Sequence, residues 1–285
     1  MINNDLYLKG ARKALEARQA LKAGLQQVVP IIDSIGFFGA QVWFRDAATY
    51  DGTYSPGGPS LIVLSSLRPL GRINYTAAHE LGHHLFGHGE VIEEVREGTT
   101  EGFHYGSNQN NELLANAFAA NFLMPRALVD DQFKMRGTES WKATPLDLLA
   151  ISSALGVGYS TLAYHMCYIM RSFSKTKLDE LLKNNPRKIK QTVLGKNIGG
   201  DLIYVDKHWN RPMADCRIDD VICFPAGSVA PPGAQLTKVQ GGSSIDIYEA
   251  KKTGEVIVAG NKPTTVRVGK RGFTGRSLFI YDEEA

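Results

Sequence analysis

The sequence has 285 residues, 43% of them hydrophobic, with 32 basic and 29 acidic side chains and a formal charge of +3. That composition excludes a disordered or collagen-like chain, and the charge is too balanced to argue for nucleic acid by itself. No run approaches the ~18–20 continuous apolar residues of a membrane span, so no membrane association is expected. Three cysteines (Cys167, Cys216, Cys223) without a CxxC pair exclude a disulfide framework and a thiolate zinc finger. The charged N-terminal stretch lacks the apolar core of a secretory signal, which makes a reducing cytoplasm the expected compartment.

In chain order, residues 3–29 read as an amphipathic helix ending near Pro30, followed by a short apolar region, Ile31 to Phe38. The segments 41–44 (QVWF) and 60–65 (SLIVLS) read as strands, and the intervening DGTYSPGGPS as a turn or loop from its Gly and Pro content. Residues 70–88 read as a helix, and the polar stretch 98–110 as a loop. From Asn111, NELLANAFAANFLMP is strongly helical, with Pro125 past its end. Leu114, Phe118 and Phe122 recur at intervals of four as a buried stripe, while Ala115 and Ala119 allow close helix approach. Residues 145–155 and 160–171 form a helical pair around Gly156–Val157–Gly158, with Thr144–Pro145 supplying an N-cap and a preset first residue. A short helix over 176–184 and a linker, KNNPRKIK (183–190), follow. Beyond about residue 190 come short β-branched or aromatic runs (LIYV, VICF, IDIYEA, GEVIVAG, TTVRV, SLFIYD) divided by Gly, Pro and Asn, the pattern of a small all-β domain.

The sharpest chemical feature is His79-Glu80-Leu81-Gly82-His83, an HExxH on a predicted helix. Residues four apart on a helix differ by ~40° in azimuth and ~6 Å along the axis, so both imidazoles lie on one face and can share a metal. Glu80 flanks the same cleft and can take a proton from a water activated there. Neutral imidazole suits Zn²⁺, whose catalytic sites carry three protein ligands and an open position. Two His and a carboxylate leave Mn²⁺ or Fe²⁺ open as well. A third His on the same helix is excluded, because Phe86 and Gly89 stand where HExxHxxGxxH needs Gly and His. Glu112, opening the next helix 29 residues after His83, is the favoured third ligand on spacing. Its bland alternative is an acid favoured by the helix dipole, and Glu90, Glu93, Glu94, Glu97 and Glu101 are rivals. Asn116, one turn on, could bond the outer nitrogen of a liganding His. His84 and His88 read as flanking residues. Tyr75, His104 and Tyr105 are candidates for stabilising an oxyanion.

INYTAAHELGHHLFGH followed by NELLANAFAANFLMP resembles the ImmA/IrrE family of cytoplasmic metallopeptidases, over residues ~40–172. The resemblance implies metal ligands His79, His83 and Glu112, with Glu80 as catalytic base. It implies an α+β fold in three parts. A zincin-like peptidase core, with a small sheet on the HExxH helices, spans 1–135; a helix-turn-helix-like segment and linker span 136–190; and a β-rich domain spans 191–285. It further implies a protein substrate, an XRE-type helix-turn-helix repressor whose loss relieves transcriptional repression, as in a stress response. The rival reading is a non-cleaving regulator that binds metal or DNA. DNA contact by the middle helices is weakly supported, since the second carries Tyr164, His165, Cys167 and Tyr168 but only Arg171 as a base.

Overall fold

Small residues set the first half of the fold. In the computed structural model, which describes residues 4–89, 91–94, 109–195 and 199–282, helix α4 (Gln109–Leu123) is buried on nearly every side. Helix α1 (Asn4–Ala20) lies against it so closely that a Cβ at Gly10 would overlap Ala117. Helix α3 (Leu70–Phe86) meets another face of α4, where a Cβ at Gly82 would sit 3.1 Å from Ala115 Cα. Phe118 and Phe122 stack at 5.4 Å and are wholly buried, each stabilising the unit by roughly 2–3 kcal/mol. Buried Arg18 donates to Phe122 O and Gly24 O, both at 2.6 Å, and to Gln27 O. It thereby places a cation on an orphan carbonyl at the negative end of α4.

The predicted helix over 3–29 stops at Ala20 because Lys22 turns into the left-handed region (φ 55°) and Arg18 gathers the following carbonyls. Ile31–Ser34 (α2) and a 3₁₀ turn, Ile35–Phe38, lead into the sheet. Strands β1 (Ala40–Arg45) and β3 (Ser60–Ser65) pair in parallel, and β2 (Tyr50–Ser55) adds antiparallel to β3. The sheet order is β12-β1-β3-β2-β4, with β4 at Val91–Glu94 and β12 at Gly275–Arg276. DGTYS is thus a strand, contrary to the loop expected from its glycine. Gly52 marks a close approach rather than a turn.

Pro125 follows α4, and α5 (Arg126–Met135) comes next, a helix the periodicity did not single out. Helix α6 (Pro145–Leu155) starts on a capping box between Thr144 and Asp147 and ends at left-handed Gly156. Helix α7 (Tyr159–Tyr164) runs into a π-helical turn, His165–Ile169. Helices α8 (Lys175–Lys183) and α9 (Pro186–Leu194) follow. The expected linker over 183–190 is therefore largely helical. Asn185 caps it, Pro186 presets its first turn, and buried Lys190 donates to Gly199 O and Gly200 O.

Seven further strands form two small sheets. One has the order β5-β7-β9-β8 (Leu202–Tyr204, Val221–Pro225, Ile245–Ala250, Leu236–Gly241). The other has the order β10-β11-β6 (Gly254–Val258, Thr264–Gly269, Met213–Arg217). SLFIYD, read as a strand, holds only a 3₁₀ turn at Ser277–Phe279, and the pairing falls just before it, at Gly275–Arg276. Strands β6 and β8 were not expected; Asp, Arg, Lys and Gln dilute their apolar pattern. Buried Trp209, Phe224, Tyr248 and Val266 form a core that includes Ala154 of α6. The chain is a mixed α+β protein with several small sheets. By contact it divides into two units, Met1–Asp131 with Thr274–Ser277, and Gln132–Phe273 with Leu278–Ala285. Among the described residues no single helix is long and apolar enough to cross a membrane.

Candidate metal centre

Helix α3 carries Ala77, Ala78 and Leu81, all fully buried, which fix its orientation. That orientation turns His79 and His83 toward α4, where Glu112 sits in the first turn. Gly82 lets the two helices approach closely enough for the carboxylate to reach both rings. His79 Nε2 and His83 Nε2 lie 2.9 Å apart, and Glu112 oxygens lie 3.3 Å from the first and 3.5 Å from the second. Tetrahedral ligands about 2.0–2.1 Å from one ion stand about 3.3 Å from each other, so the three donors are spaced as a shared cation requires. All three residues are buried.

The protonation pattern agrees. Asn116 Oδ1 lies 3.2 Å from His79 Nδ1 and can only accept, so His79 carries its proton on Nδ1 and aims the Nε2 lone pair at the centre. Lone pairs and a carboxylate converging in a buried site repel each other unless a cation joins them. Burial alone would raise the Glu112 carboxyl, but positive charge shared with the facing His79 and His83 outweighs it and brings the group down to about 2, the response a bound cation would also draw from it.

Glu80, next to His79 on the same helix, is completely buried, with its carboxylate beside Gly52 of β2. A Cβ at Gly52 would stand 3.2 Å from Glu80 Oε1 and collide with Thr76, so the carboxylate occupies room that only glycine leaves. Asp51, beside it, is held by Arg68 Nε at 2.7 Å and by Arg72 Nε at 2.7 Å, which fastens β2 to the first turn of α3.

The other histidines on α3 divide. His84 faces the sheet side, with Nδ1 3.3 Å from the Tyr54 hydroxyl and Nε2 2.8 Å from Phe38 O. His88 lies beyond the helix end, yet its Nδ1 is 2.8 Å from His83 Nδ1. The reading of His88 as a flanking residue missed this contact. Its signal was Gly87, a helix-ending residue at φ 65°, whose turn sends the chain back onto α3. Burial, then the neighbouring His83, pushes His88 down to about 4. Tyr75 is half-buried and bonds Asn116 O at 3.5 Å. Glu90, Glu97, Glu101, His104 and Tyr105 lie outside the described residues, and Glu93 and Glu94 lie on β4. In the helical pair, His165 and Cys167 are buried, while Tyr168 is exposed and stacks on Tyr164 at 6.1 Å.

Residues 38–166 match the family model of the IrrE N-terminal-like domain, Peptidase_M78, which bears out the ImmA/IrrE resemblance. The matched segment contains both helices of the centre. None of the curated proteins matches the chain.

Proposed function

Because residues 38–166 match the family model of the IrrE N-terminal-like domain, Peptidase_M78, we propose that the chain is a zinc-dependent endopeptidase built on a zincin-like core. One observation carries the proposal: two imidazole nitrogens and one carboxylate converge from adjacent helices at the spacing a divalent ion needs. His79, His83 and Glu112 hold the ion, and Zn²⁺ suits this donor set. When bound, the ion supplies Lewis acidity, lowering the pKa of a water toward 7 and polarising the scissile carbonyl.

Glu80 takes the proton of the attacking water and returns it to the leaving amine. The Glu80 carboxylate is completely buried beside Gly52, so it has little freedom to reorganise during each transfer. Asn116 holds the His79 ring in its liganding tautomer. The substrate is a cytoplasmic regulatory protein, an XRE-type helix-turn-helix repressor, whose cleavage relieves transcriptional repression. Support for that substrate comes from the family resemblance.

The test is coexpression of the chain with helix-turn-helix repressors, reading fragments by mass spectrometry and metal content by elemental analysis. Glu80→Gln should retain the ion and lose cleavage, whereas Glu112→Gln should lose most of the ion. Cleavage surviving in Glu80→Gln would remove the general base from the mechanism. Full metal content in Glu112→Gln would remove the third ligand.

A further inference from the structure

Each liganding histidine needs its Nδ1 proton held if Nε2 is to stay free for the ion. For His79 the holder is Asn116. For His83 the facing atom is another ring nitrogen, His88 Nδ1 at 2.8 Å. Two nitrogens at that distance share one proton, so one ring donates and the other accepts. His83 Nε2 faces His79 Nε2 and Glu112, and its lone pair is committed there. The proton between the two Nδ1 atoms therefore belongs to His83, and His88 is the acceptor.

We propose that His88 is a positioning residue for the metal centre, fixing the tautomer and ring angle of His83 as Asn116 does for His79. The inference rests on the metal-site reading above. Its structural basis is the end of α3. Gly87 adopts the left-handed conformation, and His88 N–H donates to His83 O at 3.0 Å, which lays the His88 side chain back over the last turn. Phe86 stacks on the His88 ring at 5.5 Å with planes 13° apart, limiting its rotation. The His83 and His88 rings meet edge to face at 67°, with centroids 4.9 Å apart.

The experiment is zinc titration of the full chain against a chromophoric chelator, for the wild type, His88→Ala and His88→Asn. The asparagine Oδ1 takes roughly the place of the histidine Nδ1 and can accept the same bond. His88→Ala should weaken zinc binding by about 10- to 100-fold, and His88→Asn should restore it to within a few-fold. Long-range ¹H–¹⁵N spectra of the zinc-free chain should show His83 protonated on Nδ1 in the wild type and in His88→Asn, and a mixture of tautomers in His88→Ala. The tautomer reading does not depend on activity or on loaded metal. Equal zinc affinity in the wild type and His88→Ala overturns the inference while leaving the metal site intact. An asparagine variant as weak as the alanine one overturns it too, since the lost property is then bulk rather than an acceptor. A wild type that takes up no divalent ion refutes the metal-site reading, and this inference with it.

Discussion

Replacing Gly82 by alanine tests whether helix spacing governs the centre. The added Cβ would lie 3.1 Å from Ala115 Cα, 3.2 Å from Phe118 Cδ1 and 3.3 Å from Ala115 O. Two of these neighbours are backbone atoms, and Phe118 is fully buried, so none can rotate away. Ordinary carbon contacts begin at about 3.5 Å, so α3 and α4 must give way by a few tenths of an ångström. Such overpacking costs about 1–3 kcal/mol. Alanine recovers about 1 kcal/mol over glycine inside a helix. The net destabilisation is then about 0–2 kcal/mol, a fall in melting temperature of roughly 0–8 °C.

The metal centre should suffer more. Glu112 stands three residues before Ala115 and moves with it. Ligand distances tolerate only about ±0.2 Å, so zinc affinity should drop about 10- to 100-fold. Calorimetry of the metal-free chain and zinc competition measure the two effects separately. Zinc affinity within twofold of the wild type would refute the reasoning, because Glu112 would then reach its partners regardless of how closely the helices pack.

Two other predictions concern stability and reactivity. Arg18→Ala strands three carbonyls that now share one buried guanidinium and should cost about 2–4 kcal/mol in urea unfolding; a change under ~0.5 kcal/mol would mean water replaces the cation at no penalty. All three cysteines are free and buried, and burial pushes the Cys223 thiol up to about 12 and Cys216 well up. Against an ordinary value of 9.0, that shift cuts the Cys223 thiolate about a thousandfold. A thiol-specific reagent at pH 8 should label the folded chain hardly at all and the unfolded chain at three sites; rapid stoichiometric labelling of the folded form would contradict the burial.

The three converging side chains were legible in two steps: residues four apart on a helix share a face, which pairs His79 with His83, whereas spacing left Glu112 among rival glutamates and the family resemblance singled it out. Patterns carried by long-range contacts were not. Gly52 looks like a turn residue to any local rule, and the Thr76 methyl and Glu80 carboxylate packed against it explain a glycine inside a strand. The end of α1 is set by Arg18 reaching Phe122 O, a hundred residues away. His88 sits off the helix periodicity altogether, and its place depends on a backbone reversal at Gly87. Lys190 reads as part of a solvated basic run, yet it is buried on two glycine carbonyls.

The pairing of β12 with β1 bears on biosynthesis. Trp43 meets Arg276, and the main-chain groups on that margin of β1 are satisfied by residues translated about 230 positions later. At about 5–20 residues per second, the margin waits on the order of 10–50 s for its partner. During that interval the nascent sheet presents an open template to any extended segment nearby, so a ribosome-associated holding factor has its best reason to engage there.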